Sequence, residues 1–127
     1  MKFTAFPILL AAILSIGAVD APSHPFSSGA LKAAQSAGRP ILVDAFAPWC
    51  PTCRAQAPTI SAISSDPAFR NLLILRLDYD HQAAEKKALG IRQQSTLIAF
   101  HGNREVGRSV GVTDPAQIRM LAARALR

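Results

Sequence analysis

Two cysteines, Cys50 and Cys53, are the residues of this 127-residue chain whose type and spacing most directly indicate chemistry. They are the only cysteines in the sequence, and Pro51 and Thr52 separate them. A disulfide between them would close so short a loop that chain entropy contributes only about 2 kcal/mol, so a structural role explains the pair poorly. A C-x-x-C pair that interconverts between dithiol and disulfide explains it better.

The composition of the chain argues against two other functions, metal binding and nucleic-acid binding. A tetrahedral zinc site needs about four ligands, and the three histidines do not complete a known finger spacing with the cysteines. These histidines are His24, His81 and His101. The net charge is +6, but the basic residues are scattered and aromatic residues make up only 6% of the chain, which favours a solvated surface over a nucleic-acid interface. We therefore expect no resident metal, no cofactor and no nucleic-acid partner.

An apolar run from Ile41 to Ala47 precedes the cysteines and carries one carboxylate, Asp44, near its middle. This pattern predicts a strand that is buried on both faces. A buried carboxylate without a partner is costly or takes up a proton, so Asp44 needs either a polar partner or a titrating role. Beneath the cysteines it would accept the proton of Cys53 as that thiol attacks. The alternative is a carboxylate that is hydrogen-bonded for structure alone.

A helical stretch is predicted after the pair, from Arg54 to about Ser64. Pro51 suits the first position of this helix, which puts Cys50 at or beside the N-cap. Free amides and the helix dipole stabilise a thiolate there, so the pKa of Cys50 is expected below about 8.5. Cys50 is then the attacking thiol, and Cys53, one turn later, resolves the mixed disulfide. Trp49, directly before the pair, is either a core residue or a platform for substrate.

The order and spacing of these segments resemble the thioredoxin family from about Phe26 to Leu126. The matching segments are Ile41-Leu42-Val43-Asp44, Ala47-x-Trp49-Cys50-x-x-Cys53 and then Pro58. The resemblance implies an α/β thioredoxin fold, with a central mixed sheet of about four strands flanked by helices. It also implies a thiol-disulfide oxidoreductase that requires no cofactor and acts on protein disulfides.

The resemblance also assigns further residues of the site. Asp44 corresponds to the buried acid of the family, and Arg76 stands in place of the strand lysine near it. Because a guanidinium does not readily give up its charge, Arg76, if it points the same way, would hold Asp44 more firmly ionised than a lysine would. Gly111 falls where the family has a glycine near the active site. The candidate substrate-binding residues are Trp49, Pro51, Thr52, Ser95 and Thr96.

The loop that follows Ile91 departs from the family, which has a cis-proline where this chain has Ser95. A cis peptide bond before a residue other than proline costs roughly 2.5 to 4 kcal/mol, so the Gln94–Ser95 bond is expected to be trans and the loop reshaped. In the family this loop pairs with the substrate backbone as an added strand. An opened loop would also let the two thiolates bind copper(I) or a partner, which is the alternative function.

The other elements follow from pattern. Strands are predicted over 72–78, 95–100 and 105–110, with helices over 81–89 and after an Asp114 N-cap with Pro115 at its first position. Only residues 23–26 are available for the family's first edge strand, which is therefore expected to be short or absent.

The first 21 residues predict an export signal, because residues 3–19 contain no charge and small residues follow them. Cleavage is expected near residue 18 or 21, which leaves residues 22–127 as the thioredoxin-like domain; an uncleaved membrane anchor is the alternative. W-C-P-T-C also resembles the motif of membrane-associated reductases that serve cytochrome c maturation. We therefore expect an exported monomer, periplasmic or otherwise extracytoplasmic, that reduces protein disulfides and is recycled by a membrane or periplasmic redox partner.

Overall fold

The central strand of the fold is the apolar run that precedes the cysteines. The computed structural model describes residues 23–127, so the predicted signal segment, residues 1–21, lies outside the described residues. The strands are β1 (His24–Pro25), β2 (Pro40–Phe46), β3 (Leu73–Asp78), β4 (Thr96–His101) and β5 (Arg104–Val110). They form one sheet in the order β1-β3-β2-β4-β5. Strands β1, β2 and β3 are parallel, whereas β4 and β5 are antiparallel to their neighbours.

The sheet therefore has five strands where about four were predicted. The additional strand is β1, the short edge strand for which the sequence offered only residues 23–26. Its pairing with β3 covers two residues, His24 opposite Leu75 and Pro25 opposite Arg76. The backbone N–H of Phe26 adds one further bond to the carbonyl of Arg76 at 2.8 Å.

The helices are α1 (Ser28–Ser36), α2 (Pro51–Ser65), α3 (Ala83–Ala88) and α4 (Pro115–Arg124), with a 3₁₀ turn at Pro67–Phe69. Helix α1 was not among the sequence predictions. Helix α3 is shorter than the predicted 81–89, because the residues before it form a turn in which Gln82 and Asp78 exchange two hydrogen bonds. Across residues 23–127, none of the helices combines the length and the apolar character that crossing a membrane requires.

Two apolar layers enclose the sheet, and successive side chains of β2 point alternately into one layer and the other. One layer packs Leu31 of α1 against alternate residues of β2, among them Ile41 and Val43. The other layer joins α2 and α4 to the opposite face, among them Leu42, Ile63 and Ile118. Because Asp44 lies two positions after Leu42, it points to the same face, the layer of α2, which is the helix that begins at the cysteines.

Candidate active site

The two cysteines lie at the start of α2, where the sequence placed them. Pro51 is the first helical residue and Cys50 is the N-cap, with its Sγ accepting the backbone N–H of Cys53 at 3.2 Å. Both residues carry free thiols and each is only 1% exposed. The N-cap bond satisfies one of the amides that a helix start leaves without a partner, and it directs that partial positive charge at the Cys50 sulfur.

The surroundings of the two sulfurs shift their acidities in opposite directions. Burial alone would raise the pKa of Cys50, but hydrogen bonds from the Cys53 thiol, the Ser95 hydroxyl and two backbone amides outweigh it and lower that pKa. Burial raises the pKa of Cys53, and its hydrogen bond to Cys50 raises it further. The first thiol therefore ionises more easily and the second retains its proton, which is the asymmetry that attack by one and resolution by the other requires.

Ser95 contacts both cysteines, and of the predicted site residues its position differs most from the sequence prediction. Its Oγ is 3.2 Å from the Sγ of Cys50 and 3.2 Å from the Sγ of Cys53. Its backbone has a φ of +64°, and no peptide bond within residues 23–127 is cis, so the Gln94–Ser95 bond is trans. The sequence indicated a reshaped loop at this point, but it did not indicate that the loop would place a hydroxyl between the two sulfurs.

Gln56 is a site residue that the sequence predictions missed. It is fully buried, and its side-chain amide donates to the carbonyls of Ser95 at 3.2 Å and Val112 at 2.8 Å. One signal was present: Gln56 shares the buried face of α2 with Cys53 and Ile60, where a helix normally carries apolar residues. A glutamine on that face indicates a polar group to be satisfied inside the core.

Gly111 also holds the loop at Ser95 in place through a backbone hydrogen bond. Its N–H donates to the carbonyl of Ser95 at 3.1 Å, and its φ is +71°, a conformation that residues with a Cβ rarely adopt. A Cβ at this position would meet nothing within 4 Å. The glycine is therefore needed for its backbone conformation and not for space.

Asp44 and Arg76 are directly paired residues of β2 and β3. The Nε of Arg76 donates to Oδ2 of Asp44 at 3.2 Å, while the buried Oδ1 has no hydrogen-bond partner among the described residues. Burial raises the pKa of Asp44, and the attraction and hydrogen bond of Arg76 offset only part of that rise. The predicted contact is present, and because burial outweighs the attraction of Arg76, the pKa of Asp44 lies above its ordinary value.

The remaining predicted residues lie around the cysteines with different degrees of exposure. Trp49 is 56% exposed, and its Nε1 donates to the carboxylate of Asp80 at 2.9 to 3.0 Å, so it is not a core residue. Pro51 is exposed and Thr52 is half-buried. Thr96 is buried, and its hydroxyl donates to the carbonyl of Gln93 at 2.7 Å. Its side chain therefore supports the loop from inside.

Possible metal ligands do not gather around the cysteines. Within residues 23–127, no three or more His, Cys, Asp or Glu side chains are grouped so that they would hold a metal ion. His81 instead contacts the carboxylate of Asp78 at 2.8 Å, and His101 contacts the carbonyl of Ala125 at 2.8 Å.

Comparison with known proteins identifies this arrangement. The family model described as Thioredoxin matches residues 27–124. Thioredoxin of Chlamydia muridarum is 36% identical over 74 residues, which are 58% of this chain and 71% of that protein. Thioredoxin Asp f 29 of Aspergillus fumigatus is 30% identical over 82 residues, which are 65% of this chain and 74% of that protein.

A solved structure agrees with both relatives. The crystal structure of Trxlp from Edwardsiella tarda EIB202 is 37% identical, with a TM-score of 0.74 over 77% of this chain and 96% of that one. The thioredoxin fold predicted from the sequence is thereby confirmed. Together with the C-x-x-C pair at the start of α2, these matches show that the chain belongs to the thioredoxin family and is a thiol-disulfide oxidoreductase.

Proposed function

We propose that this chain is an exported reductant of disulfides in other proteins, in which Cys50 attacks and Cys53 resolves. The observation that carries this assignment is the asymmetry of the two sulfurs. The Cys50 sulfur accepts the N–H of Cys53 at the N-cap, and its pKa is lowered, whereas the pKa of Cys53 is raised. Only the thiolate is a nucleophile, so the attacking role falls to Cys50.

The reaction takes place in two exchanges. The Cys50 thiolate attacks one sulfur of the substrate disulfide; that disulfide breaks, and its other sulfur leaves and takes up a proton. Cys53 then loses its proton and attacks the Cys50 sulfur, which forms the Cys50–Cys53 disulfide and releases the second substrate thiol. Two electrons thus pass to the substrate. Because Cys50 is almost fully buried, a substrate reaches its sulfur only after the groups that cover it move.

Asp44 is the proposed acceptor for the proton that Cys53 gives up. Its carboxyl group lies on the α2 side of β2, its Oδ1 has no hydrogen-bond partner among the described residues, and burial raises its pKa. These properties suit a group that takes a proton during the second exchange and returns it later. Trp49 and Pro51, both exposed beside Cys50, provide the surface for the substrate.

The amino-terminal sequence supports export, and the name of one relative supports recycling by a reductase. The uncharged segment at residues 3–19 supports a signal peptide. A protein of Mycobacterium leprae that is 31% identical over 83 residues is named bifunctional thioredoxin reductase/thioredoxin. For an exported chain, a membrane or periplasmic redox protein would supply the electrons, and the chain would act as a monomer.

The direction of transfer is tested by the reduction potential of the Cys50–Cys53 pair, measured by equilibration with dithiothreitol. A value near about −270 mV supports a reductant, whereas a value near about −120 mV indicates an oxidant that donates its disulfide. In parallel, the chain should accelerate the reduction of a protein disulfide by dithiothreitol, and Cys50→Ser should abolish the acceleration. Tight binding of copper(I) by both thiols without any acceleration would favour the alternative function, in which the two cysteines bind copper(I) or a partner.

Export is tested separately by expressing the full chain in a bacterium that has a periplasm. Intact mass of the periplasmic protein should show a species that lacks about the first 18 or 21 residues. A protein that still begins at Met1 would contradict cleavage, and its presence in the membrane fraction would support the anchor.

A further inference from the structure

The reshaped loop places one hydroxyl group between the two reactive sulfurs. The Oγ of Ser95 is 3.2 Å from each sulfur, and Ser95 is only 2% exposed. A hydroxyl has one hydrogen to donate and two lone pairs that accept. It can therefore donate its own hydrogen to the Cys50 thiolate, beside the hydrogen bond that the Cys53 thiol donates to the same sulfur.

The backbone that holds this hydroxyl is one that the proline of the family cannot adopt. Ser95 has a φ of +64°, whereas a proline ring fixes φ near about −65°. The N–H of Ser95 also donates to the carbonyl of Ala45 in β2 at 2.9 Å, and proline has no N–H. The position of the hydroxyl thus depends on a loop conformation that requires a residue other than proline.

Gln56 fixes this loop relative to the helix that carries the cysteines. It lies one turn after Cys53 on the buried face of α2. Its single amide nitrogen bridges the carbonyls of Ser95 and Val112, which belong to the two segments on either side of the β4–β5 hairpin. The bond to Ser95 is buried and the bond to Val112 is partly buried, and a buried group that loses its hydrogen-bond partner costs free energy.

We propose that Ser95 is the hydrogen-bond donor that stabilises the Cys50 thiolate of the reduced protein, and that Gln56 is the positioning residue that keeps the hydroxyl between the two sulfurs. The inference rests on the proposed function, in which this cysteine pair cycles between dithiol and disulfide. A donor to the thiolate stabilises the reduced form, which makes the protein a stronger oxidant than the same fold without the hydroxyl.

The same hydroxyl also serves the second exchange. Once Cys50 is bonded to substrate, its sulfur carries no charge and no longer attracts the hydroxyl hydrogen. The hydrogen can then turn toward the Cys53 sulfur as that thiol loses its proton. Ser95 keeps its own proton in both arrangements, so it stabilises charge without exchanging a proton itself.

The test compares reduced wild-type protein with Ser95→Gly, Gln56→Leu and the double variant. Glycine suits the positive φ of this position, so Ser95→Gly removes the hydroxyl without disturbing the backbone. Ser95→Ala is the second variant. Ser109→Ala is the control, because its hydroxyl is buried and has no hydrogen-bond partner among the described residues. Thiolate absorbance against pH reports the ionisation of Cys50, and equilibration with glutathione reports the dithiol-disulfide equilibrium.

Loss of the hydroxyl should raise the pKa of Cys50 and favour the disulfide. For Ser95→Gly we expect the equilibrium constant with glutathione to move about tenfold toward the disulfide, which corresponds to a potential lower by about 30 mV. Ser109→Ala should behave as wild type. Gln56→Leu should shift both measurements in the same direction by a smaller factor, and the double variant should match Ser95→Gly alone, because Gln56 acts through Ser95.

Each part of the inference has its own contrary outcome. If Ser95→Gly and Ser95→Ala both titrate and equilibrate as wild type does, the hydroxyl is not the donor. If the effects of Ser95→Gly and Gln56→Leu add in the double variant, Gln56 does not act through Ser95. If the wild-type pair does not exchange with glutathione at all, the proposed function fails, and that result is distinct from the other two.

Discussion

Replacing Asp44 by asparagine should stabilise the protein at neutral and alkaline pH but not under acidic conditions. The carboxyl is 1% exposed, has one hydrogen bond to Arg76 and has one oxygen without a partner among the described residues. Burial raises its pKa in the folded state. A group of this kind contributes its full stability below the unfolded pKa of about 3.9 and loses that contribution as the pH rises through the folded pKa.

The magnitude follows from the proton that the folded state retains. Between the unfolded and folded pKa values, the wild type loses about 1.4 kcal/mol of unfolding free energy per pH unit relative to a neutral side chain. Asparagine stays neutral throughout, so the difference between Asp44→Asn and wild type grows at that rate and then levels off. We expect it to reach on the order of 1–3 kcal/mol by pH 8, as for a buried polar atom without a partner.

Urea denaturation of the reduced proteins from pH 4 to pH 8 measures this difference. Asp78→Asn is the control, because Asp78 is exposed and its pKa is lowered, with the hydrogen bond to His81 as the main cause. Its stabilising contribution is present above the unfolded pKa, so this variant should gain nothing as the pH rises. A constant difference for Asp44→Asn, or a loss of stability with rising pH, would show that Arg76 holds Asp44 ionised and would refute the reasoning.

Three further variants test the site. Cys53→Ser should trap mixed disulfides through Cys50, seen by intact mass; the absence of adducts under oxidising conditions would count against resolution by Cys53. Ser95→Pro should lower both the melting temperature and the rate of disulfide reduction, because proline loses the bond to Ala45, worth about 1 kcal/mol, and cannot take the loop conformation; unchanged values would show that the loop rebuilds freely. Gly111→Ala should cost about 1 kcal/mol in urea denaturation, and equal stability would show that the backbone adjusts.

The parts of the fold that the sequence predicted are those in which the signal is local. The apolar run of β2 and the helix starts at Cys50 and Asp114 depend on residues a few positions apart. Asp114 caps α4 as predicted, accepting the N–H of Gln117 at 3.0 Å. Helix α1 was missed because its nine residues include a glycine and only one large apolar residue, Leu31, so its periodicity is weak.

The site was predictable in its cysteines and less so in what surrounds them. Cys50 and Asp44 are recognisable from their neighbours in sequence. The contacts of Ser95 join residues 42 and 45 positions apart, and those of Gln56 join residues 39 and 56 positions apart, so local pattern does not reveal them. The raised pKa of Asp44 depends on how completely the strand is buried, which the charges in the sequence do not by themselves indicate.

The most direct test of the central claim is the rate at which iodoacetamide alkylates each thiol of the reduced wild-type protein, followed against pH by peptide mass spectrometry. We predict that Cys50 reacts faster than Cys53 throughout, and that its reaction reaches half of its maximal rate below the value of about 8.5 for an ordinary cysteine. Cys53 should remain slow until higher pH. Equal and slow reaction of both thiols, or faster reaction of Cys53, would contradict the assignment of Cys50 as the attacking residue.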